Sequence, residues 1–533
     1  MDNLKRQDLL VDRDRHNLRV RPKQFFLWLK YLSLFFLCLG ILVRLIQYIN
    51  NRSLWDDEAA IALNIVNLSY LELLNSLENN QAAPPGFLWI VKLSTQILGN
   101  NEYALRLFPF LCSLVSLFAF YRLANRYTSV LAAPVAIALF ACLQYPLYYA
   151  TEAKQYSSDM MVTLLLILLL FPLRERILGA RQILFLSLLG AAFIWLSHTA
   201  IFPLSGLELS TLLTTPARKR LPMIGNRLPI YLTWLLSFAL LFFLSISSSM
   251  ENSTLQDSWG PSYPDSLFDV IWLLDAFGRF FYNPLGFVGF TDGVACFAFV
   301  CGCFAYYRTN RKTLLFLMSP IFTTLIASYL HKYPFRDRLL LFLAPVGIAI
   351  VAQGIVFLLA QYRKKYRYVT IVGILVLAIS VAPPLLHASQ LIISPELKEE
   401  IRPAFAFVKS HQQPGDRFYV YPTAKNAFTY YANKYGYSPG DYTIGERLLP
   451  FDGKGTQQEW EEYQRDIEAL LDKQRVWLLY RAKEKRLPEI SSYLNRIGQQ
   501  LDFFYQPGIF VYLYDFNSSP SPLGTSNDTN PNQ

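Results

Sequence analysis

Apolar blocks about as long as a bilayer is thick recur along this chain, and they decide what it can fold into. A helix needs about 20 apolar residues to cross the hydrocarbon core. Such blocks cover residues 25–49, 103–125, 129–149, 157–173, 181–197, 199–215, 228–248, 291–307, 313–330, 337–360 and 367–388. The fifth and sixth are parted only by Ser197-His198-Thr199, and counting them separately predicts eleven spans. Of the 533 residues 53% are hydrophobic and 17% charged, where soluble proteins carry about a quarter charged. A disordered chain, a fibrous one and an ordinary cytosolic enzyme are thereby excluded. No internal repeat or low-complexity tract is visible.

The net charge of +10 sits in short clusters between the blocks, as topology signals do, and does not point to nucleic acid. Residues 1–24, 121–128, 174–181, 216–227, 308–312 and 363–367 hold 23 Lys and Arg. The alternate connections hold eight over much longer stretches: Arg52, Lys92, Arg106, Lys154, Arg279, Lys332, Arg336 and Arg338. The richer set is expected in the cytoplasm. With eleven spans the N-terminus lies inside and everything after residue 388 outside, in a multi-pass protein of the bacterial inner membrane. The leader 1–24 lacks a small-residue cleavage site, so the first block reads as an anchor. All six cysteines lie within apolar blocks, where they read as packing residues rather than disulfides or metal ligands.

The expected organisation is a cytoplasmic leader (1–24), an all-α membrane domain (25–390) with outer loops 50–102 and 249–290, an extracytoplasmic α/β domain (391–516), and a disordered tail (517–533). In the α/β domain, β-branched and aromatic content marks strands at 416–421, 475–480 and 508–514. Residues 424–434, 457–473 and 483–498 have helical spacing.

Ionisable residues at a membrane surface are costly, so each needs a reason. Trp55-Asp56-Asp57-Glu58-Ala59 follows the first span; these acids read either as the first turn of a helix or as a functional cluster. Neighbours on a helix point about 100° apart, so only one of Asp56 and Asp57 can face a given site. Glu152, Lys154 and Tyr156 stand at the outer end of the third span, His198 between the fifth and sixth, and Lys332, Arg336 and Arg338 between the ninth and tenth. All share one level. Cations there suit a lipid-linked phosphate, and a carboxylate suits deprotonation of an attacking hydroxyl.

The order of these motifs resembles a known family. Trp55-Asp-Asp57-Glu58-Ala59, Pro84-Pro85-Gly-Phe-Leu-Trp, Leu98-Gly99-Asn-Asn-Glu102-Tyr-Ala-Leu-Arg106, Tyr149-Ala-Thr-Glu152-Ala153-Lys154-Gln-Tyr156, Ser197-His198 and Arg338-Leu-Leu-Leu-Phe-Leu-Ala-Pro345 are similar to stretches of bacterial GT-C membrane glycosyltransferases. The resemblance is to the dolichyl-phosphate-mannose-protein mannosyltransferase and aminoarabinose transferase type, and covers most of residues 30–390. It implies inverting transfer of a sugar from a polyprenyl-phosphate donor to a lipid, glycan or protein hydroxyl at the outer membrane face. By position, Asp57 and Glu58 take the family's acidic pair, with Asp56 the rival base. Glu152, Lys154 and Arg338 take the second acidic motif, its basic neighbour and the late arginine. Two departures stand out: Ala83 where many relatives have His or Lys, and Lys154 where arginine is usual. Lys is a point charge rather than a bidentate fork. The acidic cluster leaves a divalent cation open as a cofactor. The alternatives are a transporter or flippase of lipid-linked glycans, which usually shows paired halves, and a non-catalytic assembly protein.

Overall fold

A computed structural model describes residues 22–252, 259–360, 367–445, 457–471, 475–482, 484 and 486–517. The basic leader up to residue 21 and the tail from 518 lie outside them. In chain order the main helices of the first part are α1 (Pro22–Ile49), α2 (Asp56–Asn67), α3 (Pro85–Leu98), α4 (Glu102–Tyr127), α5 (Ala132–Cys142), α6 (Gln144–Tyr148), α7 (Tyr156–Leu170), α8 (Ala180–Leu196), α9 (Ile201–Thr214), α10 (Ala217–Leu241), α11 (Val270–Phe280), α12 (Thr291–Thr309), α13 (Arg311–Tyr329), α14 (Ala344–Leu359) and α15 (Arg367–Ile393). Without water to satisfy the backbone, helices are the local answer to apolar blocks of this length.

All eleven expected blocks are helical, but they are not eleven equal spans. Among the described residues seven helices are long and apolar enough to cross a membrane, and an eighth span results if the bent pair Ala132–Cys142 and Gln144–Thr151 is counted as one. The other three blocks fall short: α8 and α9 have 17 and 14 residues, and α12 is diluted by Gly, Tyr, Asp292 and Arg308. Uninterrupted apolarity in a sequence does not reveal where a helix stops, and the two short helices meet in a turn at His198–Ala200.

Small residues let the helices approach closely, as they do where lipid removes the hydrophobic drive. A Cβ on Gly302 would overlap Ile350 O of α14, and one on Gly354 would overlap Ala298 O of α12. The bent pair is held differently. Arg44 of α1, fully buried, donates to Phe140 O and Ala141 O at 3.2 Å, Gly40 O at 3.1 Å and the Ser113 hydroxyl at 2.8 Å. It thereby satisfies carbonyls left without partners where α5 ends.

The C-terminal part contains α16 (Ile401–His411), β1 (Arg417–Val420), α17 (Lys425–Ala432), β2 (Tyr442–Ile444), α18 (Gln457–Glu468), β3 (Arg475–Arg481), α19 (Leu487–Ile497), β4 (Gln499–Gln506) and β5 (Ile509–Asp515). The sheet order is β2-β1-β3-β5-β4, with β1 parallel to β2 and β3, and β5 antiparallel to β3 and β4. Three strands and three helices fall where the sequence predicts them; β2, β4 and α16 were not anticipated. One sheet face packs Tyr419, Leu478, Tyr480 and Tyr514 against α18 and α19. The other is not self-contained: Phe405, Phe418, Phe428 and Trp477 share a core with Leu54, Ile61, Phe87 and Leu105. The segment 50–102 and the sheet unit are thus one packed body around the acidic turn.

Candidate active site

The acidic turn is the first turn of α2, where the helix dipole favours carboxylates. Three successive residues on a 100° spacing send three carboxylates to three different partners. Asp56 turns to the C-terminal unit and accepts from Asn426 N and Nδ2 at 3.0 Å and from Ala427 N at 3.3 Å. Burial and Glu399 push its proton affinity up against the pull of Arg481. Glu58 turns inward to Arg106 of α4, which donates through Nε at 2.9 Å and Nη2 at 2.6 Å, while Ala153 N donates at 2.7 Å. Burial works against the Glu58 charge, but Arg106 outweighs it and holds the carboxyl below its usual range.

Asp57 faces the third direction. Its Oδ1 lies 3.0 Å from Lys154 Nζ and 3.2 Å from the Gln81 amide that donates to it, and its Oδ2 lies 2.9 Å from Arg338 Nη1. Gln81 also accepts from Lys154 Nζ at 2.5 Å, which fixes the amide between both groups. Burial opposes ionisation of Asp57, yet Lys154 and Arg338 together keep it far below the normal carboxylate range. Lys154 itself is pulled down by burial, partly offset by Asp57. Residues 57, 81, 154 and 338 come from four separate segments: the first turn of α2, the α2–α3 connection, the α6–α7 connection and the short 3-10 helix Asp337–Leu343 before α14.

Beside these four residues stands Glu152. Trp55 Nε1 donates to its Oε1 at 2.6 Å, and its Oε2 has no hydrogen-bond partner. Burial and the neighbouring Glu58 raise its proton affinity, against Lys398, Arg52 and Arg338. Lys398 Nζ sits 2.9 Å from the centroid of the Trp55 ring, and the Arg338 guanidinium lies 6.0 Å from that ring and 5.8 Å from the ring of Tyr156. Arg52, also buried, stacks 4.6 Å over Tyr148 and leaves Nε and Nη2 unpaired.

The structure therefore brings Asp57, Glu152, Lys154, Tyr156 and Arg338 together. It places His198 in the turn between α8 and α9 with Nε2 buried and unpaired. Lys332 is exposed, and Arg336 faces the adjacent Asp337 at 3.6 Å. Gln81 and Lys398 complete the site without having been anticipated; both sit in polar stretches that carry no motif. Among the described residues no group of three or more His, Cys, Asp or Glu could hold a metal ion.

Residues 82–247 match the family model described as dolichyl-phosphate-mannose-protein mannosyltransferase. The matched stretch holds Glu152, Lys154, Tyr156 and His198, begins after Asp57 and ends before Arg338. Among solved structures, ArnT from Cupriavidus metallidurans in the apo state aligns over 90% of this chain and 97% of its own, at 12% identity and a TM-score of 0.53. The fold is GT-C. The same ArnT bound to undecaprenyl phosphate aligns with equal coverage and identity at 0.50. An Archaeoglobus fulgidus oligosaccharyltransferase in complex with Zn and sulfate covers 90% of this chain and 72% of its own, at 13% identity and 0.49. No curated protein sequence matches the chain. With this fold and its span-length apolar helices, the chain is an integral multi-pass membrane protein, and over residues 82–247 it is similar to the mannosyltransferase family.

Proposed function

We propose that the protein transfers a sugar, with inversion, from a polyprenyl-phosphate donor to an acceptor hydroxyl at the outer membrane face, with Asp57 as the base. The observation that carries this reading is the placement of Asp57 between two cations, Lys154 and Arg338, at 3.0 and 2.9 Å. A carboxylate so held is a weak base, which is unsuited to catalysis unless something relieves it. A donor phosphate supplies that relief. By drawing the charge of Lys154 and Arg338 to itself, it lets the proton affinity of Asp57 rise only when donor is bound.

The bond changes are balanced. The acceptor oxygen attacks the anomeric carbon, its proton passes to Asp57, and the carbon–phosphate-oxygen bond breaks. Lys154 and Arg338 take up the charge left on the departing polyprenyl phosphate. Support for the donor class comes from the ArnT neighbour bound to undecaprenyl phosphate. Glu58 belongs to the scaffold in this scheme, through Arg106.

The test uses the purified protein in vesicles loaded with a panel of radiolabelled undecaprenyl-phosphate sugars and a membrane extract as acceptor source. Transfer moves label off the lipid. Label that stays on the lipid but crosses the bilayer identifies a flippase, and label that does neither identifies an assembly protein; either result contradicts the proposal.

A further inference from the structure

The backbone leading into the acidic turn donates its hydrogen bonds to side chains from the far end of the chain. Ser53 N donates to Glu400 Oε1 at 3.0 Å, Leu54 N to the Tyr431 hydroxyl at 2.9 Å and Asp56 N to Glu399 Oε2 at 2.9 Å. Glu399 is in turn held by Arg481 of β3, 2.6 Å away. In the opposite direction the Asp56 carboxylate accepts from the backbone amides of Asn426 and Ala427, at the start of the eight-residue α17, and from the Asn426 side chain. α17 has no capping side chain of its own, its preceding residue being Ala424. Backbone donors must find partners when buried, so the conformation of residues 53–56 depends on the C-terminal unit being docked.

We infer that Asp56 is a positioning residue: it caps α17 in trans, and this cap locks the C-terminal sheet unit onto the turn that presents Asp57 to Lys154 and Arg338. The charge of Asp56 is spent on two amides and a carboxamide, whereas its neighbour one position on faces the two cations. Undocking the unit would release three backbone amides at once and free α2 to rotate, moving Asp57 off its partners.

The catalytic half of this inference rests on the transferase reading, and the experiment separates the two. Asp56→Asn keeps an acceptor oxygen for the amides, Asp56→Ala removes it, and Asn426→Ala removes one partner from the other side. Hydrogen exchange, which needs no substrate, is expected to show the amides of Asn426 and Ala427 exchanging about tenfold faster in Asp56→Ala, the size of a lost N-cap, and little faster in Asp56→Asn. In the vesicle assay with the undecaprenyl-phosphate sugars, Asp56→Ala is expected to lower kcat while leaving KM near the wild-type value. Asn426→Ala should reproduce part of that loss, and the double variant Asp56→Ala/Asn426→Ala should be no worse than Asp56→Ala alone. Asp56→Asn should stay near wild type. Unchanged exchange in Asp56→Ala overturns the lock. Loss of turnover in Asp56→Asn with Asn426→Ala fully active overturns the positioning role and makes Asp56 the base. If the wild type transfers no sugar but the exchange result holds, the transferase reading fails and the lock stands.

Discussion

Removing the Glu58 carboxylate separates scaffold from chemistry more sharply than any other single change. Glu58 and Arg106 are both buried, their closest atoms 2.6 Å apart, and Arg106 also donates to Arg52 O at 2.5 Å and Ser53 O at 3.1 Å. Glu58→Ala leaves that guanidinium uncompensated in the interior, which costs about 3–5 kcal/mol against a typical total stability of about 5–15 kcal/mol. It also leaves Ala153 N without its acceptor, one residue from Lys154. The apparent melting temperature in detergent is expected to fall by roughly 3–5 °C for a chain of this length. Glu58→Gln, which retains one acceptor oxygen, should lose less. Replacing both partners, Glu58→Gln with Arg106→Met, should recover part of the loss of Glu58→Ala, because no lone buried charge remains. A Glu58→Ala protein that melts with the wild type yet transfers no sugar would refute the scaffold role and place Glu58 in the chemistry.

Three further outcomes are expected. Burial holds Lys398 at about 8, against Glu152 and Glu399. The unfolded chain therefore binds more protons between about 8 and 10.5, so stability should rise with pH across that window and be flat below it; Lys398→Met should abolish the rise, as melting temperatures at stepped pH would show. Arg44→Met, which leaves carbonyls at the end of α5 unpaired, should lower the melting temperature by more than a surface Arg→Met change does, and an equal effect would remove its role at the bend. A reporter fused after residue 395 should prove extracytoplasmic, and a cytoplasmic signal would reverse the proposed face.

Much of the fold was legible because lipid imposes it. Apolar blocks of span length leave no alternative to helices, so their positions read correctly even though α8 and α9 stop short of full spans. That the rare charges belong together was legible too: Asp57, Glu152, Lys154 and Arg338 stood out in the sequence, and they are neighbours in the fold. The pairing was not. Nothing in the sequence separates Arg338 from Lys332, Arg336 or His198, yet of these four Arg338 is the one paired with Asp57. Lys398, Glu399 and Glu400 were invisible for another reason. They belong to an ordinary polar stretch whose meaning comes from packing against residues more than 340 positions away. The half-polar strand β4, Gln-Gln-Leu-Asp-Phe-Phe-Tyr-Gln, lies at the sheet edge, where little burial shapes its pattern.

The central claim is that Asp57 takes the proton while Lys154 and Arg338 serve the phosphate. Asp57→Asn tests it in one paired measurement, turnover of radiolabelled undecaprenyl-phosphate sugar alongside equilibrium binding of undecaprenyl phosphate. The substitution keeps the shape of the side chain, removes the proton acceptor, and releases two cations that the carboxylate had engaged. The account predicts turnover reduced at least about a hundredfold, the lower end of what a general base contributes, with the lipid phosphate bound at least as tightly as by the wild type. Turnover close to wild type, or loss of binding in step with loss of turnover, would contradict it.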